Sequence, residues 1–199
     1  MTALEVAEPL SVGVIVGTTR PGRKADAVAR WVVDLAEERA DIRPVLVDLA
    51  DYGLPLLDET FPARHGRYEN DHTRRWSAAI APLDAFVFVT AEYNHSIPAV
   101  LKNAIDFLFD EWVDKAAGIV SYGVDANGTR AAEQLRLVLA EIHVADVRDQ
   151  VALSLFDDFE DYTTFTPRSR KVADVHSMLD QVAAWGGALR SLRLAPSVV

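Results

Sequence analysis

"VGVIVGTTRPGRKADAVARWVVDLAEERA", residues 12–40, decides the fold. An apolar run, Val12 to Val16, reads as a buried strand. From Gly22 to Ala40 the apolar residues Ala25, Val28, Ala29, Val32, Leu35 and Ala36 recur at the spacing of a helix that lies on a core. Between strand and helix, Gly17 and Gly22 flank four residues, and Arg20, Arg23 and Lys24 crowd into the same loop. Such a loop holds a phosphate on helix N–H groups and cations. It lacks the G-x-G-x-x-G of dinucleotide folds. It has the G-x-x-x-x-G spacing of a nucleoside-triphosphate loop, but Ala25 follows Lys24 where a hydroxyl must ligate magnesium. Thr18, Thr19, Arg20 and the first helical turn suffice for a monophosphate. Three solvated surface cations are the plainer alternative.

Further strands are expected at Val45–Leu49, Ala85–Val89, Ala116–Tyr122 and Gln150–Leu155. Further helices are expected at Tyr68–Leu83, Ile97–Trp112, Gly128–Ile142 and Ser169–Leu192, with residues 51–66 an aperiodic loop. Strands alternate with helices long enough to cross over. The sheet is therefore parallel, with both faces covered, and its ligand lies beyond the carboxyl ends of the strands. Three loops leave those ends with unusual chemistry: 17–24, 90–96 and 122–128. One α/β domain over residues 1–199 is expected from the length and the absence of linker or repeat.

Composition narrows the chemistry. The 199 residues are half apolar and one quarter charged, which is globular usage. Cysteine is absent, so disulfides, thiolate catalysis and Cys-ligated metals are excluded. The net charge of −10 argues against nucleic acid and anionic membranes as partners. No leader-like start or run of roughly 20 apolar residues is present, so a cytoplasmic location is expected. The five histidines show no metal-binding spacing, and no metal is expected; only His95 lies in a candidate site. Trp31, Trp76, Trp112 and Trp185 are read as core or interface residues. Lys102 and Asp106 are read as a surface pair.

The second loop, "TAEYNHSIPAVLKNAIDFL" (90–108), suits either a flat heterocycle or a plain helix entry with a surface aromatic. The third, "SYGVDANGTRAAEQL" (121–135), brings Gly123, which lets backbone approach a ligand, and Gly128, which fits a turn.

Together these loops resemble the NADPH-dependent FMN reductases, a flavodoxin-like group with quinone, azo-dye and chromate reductase relatives. The resemblance runs roughly from Val12 to Val144, and "EYNHSIPAVLKNAID" is its most specific part. It implies a three-layer sandwich with a five-stranded parallel sheet in the order 2-1-3-4-5. It implies FMN as cofactor, NADPH as hydride donor, a small-molecule electron acceptor, and a homodimer or homotetramer. Carried over by position, Thr18, Arg20, Lys24, Ala25 and Asp26 hold the FMN phosphate. Glu92, Tyr93, Asn94 and Ile97 line the flavin, and Ser121, Tyr122 and Gly123 flank its other edge. Ala91 and Val124 depart from the proline and glycine usual there. No acid–base residue is required, because the flavin carries the chemistry. An FMN-holding electron carrier without a nicotinamide site is the alternative. The Ile97–Trp112 helix is expected at the dimer contact, because Val100, Phe107 and Phe109 lie outside its main apolar stripe.

Overall fold

The computed structural model describes residues 8–194. Five parallel strands form one sheet: β1 Leu10–Val16, β2 Ile42–Asp48, β3 Ala85–Ala91, β4 Lys115–Gly123 and β5 Val144–Ser154. Their order is β2-β1-β3-β4-β5, as expected. The buried strands β1, β3 and β4 have no exposed position, which explains their unbroken apolar runs. Helices α1 Ala25–Glu37 and α5 Arg170–Leu194 cover one face; α2 Asp71–Ile80, α3 Ala99–Asp106 and α4 Thr129–Glu141 cover the other. Among the described residues no helix is long and apolar enough to cross a membrane.

The order reverses between β1 and β3. Chain leaving β1 turns outward to β2, and chain leaving β3 turns the other way to β4. The two connections diverge and leave a crevice at the carboxyl ends of these strands. The loops after β1, β3 and β4 all open there.

Four local expectations are corrected. The helix expected over Ile97–Trp112 ends at Asp106. The Trp76 indole N–H donates to the Ala104 carbonyl at 2.8 Å, and the Trp112 indole N–H donates to the Ile105 carbonyl at 3.1 Å. Two buried indoles thus take carbonyls that a continuing helix would use. Phe107 is fully buried, edge-on to His72, and Phe109 packs on the same core. The apolar flank expected to seek a second copy is therefore largely consumed within the chain.

Strand β5 begins at Val144, earlier than expected, because a bulge opposite Ala117–Ile119 interrupts its apolar pattern. Strand β2 begins at Ile42 and includes Pro44, which an edge strand tolerates. A short hairpin absent from the sequence reading, β6 Phe159–Glu160 and β7 Thr164–Phe165, packs Phe159 and Phe165 beside Tyr122 and Trp31. Trp76 and Trp112 are core, Trp31 is half-buried, and Trp185 is exposed. Lys102 and Asp106 pair on the surface at 2.6 Å.

Candidate functional site

A cleft of about 360 Å³ opens at the crevice, lined by residues of all three loops and of the end of β5. Arg20, Gly22, Arg23 and Lys24 form one wall. Ala91, Glu92 and Tyr93 form the floor, and Tyr122, Gly123, Val124 and Leu155 form the other wall. A larger cavity of about 440 Å³ lies at the opposite end of the sheet, beside Leu10, where the Arg39 guanidinium is tied to Asp41 and Asp180. Ligands of such sheets bind at the carboxyl ends of the strands, so the first cleft is the candidate site.

The three loop cations have different employment. Arg23 donates to Asp26 at 2.6 Å, to Asp48 at 2.5 Å and to the Thr18 carbonyl at 2.9 Å. Burial opposes its charge, but the bonds and charges of Asp26 and Asp48 outweigh this and hold its pKa above the ordinary value. Arg23 therefore ties the loop to the end of β2. Arg20 and Lys24 have no ion-pair partner among the described residues, and both face the cleft. Gly22 stands at φ 71 with open space around it, a left-handed turn that a side chain would strain.

Thr18 is buried, with its hydroxyl 3.1 Å from the Tyr93 hydroxyl, joining the first loop to the second. Lys24 stands at the N-cap of α1. The backbone N–H of Ala25 faces the Tyr122 hydroxyl. Burial, and then the neighbouring Tyr93, push the Tyr122 phenol well above its usual range, so it stays protonated. The Asp26 carboxylate belongs to Arg23, leaving only its backbone N–H for an anion.

In the second loop, Tyr93 and Ser96 exchange two backbone hydrogen bonds of 2.9 and 3.1 Å around Asn94 and His95, at φ 51 and 70. This is a two-residue turn of the left-handed type. Asn94 sits exposed at its apex, and Ile97 packs into the core instead of the cleft. The Glu92 side chain, 6 % exposed, reaches the start of α4. It accepts from the backbone N–H groups of Arg130 at 3.1 Å and Ala131 at 3.4 Å, and from the Arg130 guanidinium. Glu92 thus caps α4 while its stem lines the cleft. Ser121 is buried and points away, donating to the Asn127 carbonyl at 3.0 Å and accepting from Gln150.

Gly128 does more than fit a turn. At φ 77, a Cβ on it would lie 2.7 Å from the Tyr122 nitrogen, and one on Gly123 would lie 2.8 Å from the Gly128 nitrogen. The two glycines close the third loop on itself.

Of the twelve residues read from the sequence, Arg20, Lys24, Glu92, Tyr93, Tyr122 and Gly123 line the cleft. Thr18, Ala25, Asp26 and Asn94 adjoin it, whereas Ile97 and Ser121 support it from beneath. Leu155 and Arg130 were missed. Leu155 follows β5, so the rule that ligands gather at carboxyl ends could have found it. Nothing in the local sequence signals that Arg130 would meet Glu92.

A profile of the NADPH-dependent FMN reductases matches residues 10–158. An NAD(P)H-dependent FMN reductase of Schizosaccharomyces pombe is 38% identical over 144 residues, 71% of this chain and 72% of that protein. A quinone reductase of Pseudomonas putida is 28% identical over 183 residues, covering 88% and 94%. The NAD(P)H:(acceptor) oxidoreductase structure from Paracoccus denitrificans shares the fold, with a TM-score of 0.72 at 19% identity over 90% of this chain and 98% of that one.

Proposed function

The chain belongs to the NADPH-dependent FMN reductase family, and we propose that its cleft holds FMN as the family name implies. The protein is an FMN-dependent NAD(P)H oxidoreductase that hands hydride to a small-molecule acceptor. One observation carries the reading: the loops after β1, β3 and β4 converge on a cleft whose first wall presents two unpaired cations, Arg20 and Lys24, beside the start of α1.

The cleft fits the group. Its size lies within the roughly 300–1,000 Å³ of small-molecule sites. Its donors suit a single phosphate: the two cations and the free N–H groups of α1. Tyr93, Tyr122, Val124 and Leu155 supply flat and apolar walls for a ring. When bound, FMN accepts hydride from the nicotinamide and releases it to the acceptor. The chain's own part is to bind and orient. Arg20 and Lys24 would neutralise the phosphate. Arg23 would hold the loop open to it, and the Thr18–Tyr93 contact would fix the spacing of phosphate and ring sites. Glu92 would keep α4 and the third loop against the ring edge.

NADPH is the proposed donor, as the family's description implies. Quinones are the proposed acceptors, since relatives are named quinone reductases. A cytoplasmic homodimer or homotetramer is proposed from the family, with no nucleic-acid partner because of the charge of −10.

The experiment is direct. Purified protein with FMN and NADPH under air should oxidise NADPH steadily, and faster with a quinone. A stable half-reduced flavin without turnover would favour the electron-carrier reading, which the NAD(P)H dependence in the relatives' names does not favour.

A further inference from the structure

The residues that line the cleft lie at different depths. Ala91 is 2% exposed, Tyr122 is 5% exposed and Gly123 is buried, so they belong to its bottom. Leu155 is half-buried. Val124, at 45%, is the most exposed apolar side chain of the lining, and of residues 124–128 it is the one that lines the cleft. It stands at the mouth, on the wall that faces Arg20 and Lys24.

Val124 is also held there. The preceding carbonyl, of Gly123, accepts from the Leu155 N–H at 3.0 Å, which pins the loop to the end of β5. A Cβ on Gly123 would lie 2.8 Å from the Gly128 nitrogen, so the loop returns on itself as closely as backbone allows. Beyond the loop, the Glu92 carboxylate holds the N–H groups of Arg130 and Ala131 at the start of α4. A loop tied at both ends does not swing its second residue away from the cleft. The side chain does not fold aside either, because branching at Cβ leaves valine stiff at χ1.

Space decides what such a side chain does. The cleft measures about 360 Å³, near the bottom of the roughly 300–1,000 Å³ range of small-molecule sites. On the reductase reading it must hold FMN and, in contact with it, first the nicotinamide and then the acceptor. The cofactor takes the bottom, where its phosphate meets the first wall and the start of α1. Each hydride partner then enters from the mouth, past Val124. We infer that Val124 is a specificity-determining residue that limits the breadth of the acceptor and favours single-ring compounds over fused ring systems. The inference rests on the reductase reading and adds to it a limit of size, whatever the acceptor's chemical class.

Val124→Ala and Val124→Leu test this in opposite directions. The side chain is half-exposed, so both variants should melt within about a degree or two of the wild type. NADPH is the donor, and 1,4-benzoquinone, a single ring, is compared with 9,10-phenanthrenequinone, a fused system. The ratio of the two kcat/KM values, fused over single, cancels whatever a substitution does to donor, cofactor or overall rate. That ratio should rise roughly tenfold in Val124→Ala, near the least that one methylene is worth in an apolar pocket, and fall by a similar factor in Val124→Leu. A second readout needs no turnover: FMN affinity, from quenching of flavin fluorescence, should stay near that of the wild type in both variants. A ratio that neither substitution moves, or that both move in the same direction, overturns the inference. So does FMN bound roughly tenfold more weakly by Val124→Ala, which would make the valine a cofactor contact. Wild-type protein that oxidises NADPH with neither quinone overturns the reductase reading instead.

Discussion

Two arginines three residues apart should fail in opposite ways. Arg23 makes three contacts, to Asp26, Asp48 and the Thr18 carbonyl, and its side chain is 13% exposed. Arg23→Ala leaves Asp48, itself only 21% exposed, without its cation. Breaking a fully buried pair costs about 3–5 kcal/mol, and exposed pairs cost about 0–1 kcal/mol. Partial exposure puts Arg23 between, at about 2 kcal/mol. For a chain of this size that lowers Tm by roughly 4–8 °C. Arg20 has no such partners, so Arg20→Ala should leave Tm within about a degree or two, since surface substitutions stay near ±0.5 kcal/mol.

Flavin binding should reverse the order. A charge-assisted contact to the FMN phosphate is worth about 1.5–3 kcal/mol, or roughly tenfold to over a hundredfold in affinity. Arg20→Ala should lose that much for FMN and far less for riboflavin, which has no phosphate. The assay is quenching of flavin fluorescence for both ligands, with a thermal melt of each flavin-free variant. If Arg20→Ala weakens both flavins equally, Arg20 does not touch the phosphate. If Arg23→Ala melts like the wild type, its ion pairs contribute nothing and the division of labour is wrong.

Three further outcomes are expected. FMN should bind more tightly than FAD, because the first wall offers one phosphate site; comparable affinities in the same titration would contradict it. NADPH should exceed NADH in kcat/KM, as the family's NADPH dependence implies; equal efficiencies with the two nucleotides would contradict it. Lys115 is buried, with its ammonium donating to the Ile80 and Ala81 carbonyls, and burial, then the charge of Arg193, lowers its pKa from 10.5 to about 8. Below pH 8 both folded and unfolded chains are protonated there and the full cost of burial is felt; between about 8 and 10.5 only the unfolded chain holds the proton, so stability rises with pH. Lys115→Met should lack that rise, worth about 3 kcal/mol in urea unfolding, and parallel curves for the two proteins would refute it.

The order of the sheet was legible because β1, β3 and β4 are buried on both faces. Burial leaves no polar alternation, so Val12–Val16 and Ala85–Val89 announce themselves. The edges were not legible for the same reason reversed. Strand β5 carries Asp146, Arg148, Asp149 and Gln150 at exposed or half-exposed positions around its bulge. Its polar start therefore reads as loop. The early end of α3 was hidden because its cause lies in tertiary contacts. Leu101, Ala104, Ile105, Leu108 and Trp112 keep helical spacing, and only the indoles of Trp76 and Trp112 decide that the helix stops.

The site divides along the same line. A phosphate loop is a local object: strand, glycine turn, helix start and cations follow one another in the chain, so "GTTRPGRK" could be read directly. What each cation does is not local. Arg20 and Arg23 look alike in sequence, and the contacts of Arg23 with Asp26, the Thr18 carbonyl and Asp48 arriving from β2 distinguish the structural one from the free one. Glu92 repeats the lesson at the other wall. Its carboxylate finds two backbone N–H groups and Arg130, 38 residues away, because the parallel pairing of β3 with β4 brings the start of α4 beside the end of β3. That link in turn places the Arg130 guanidinium 2.8 Å from the His95 imidazole. Short motifs thus disclose which ligand a loop can hold, while the pairing of strands determines which side chains remain free to hold it.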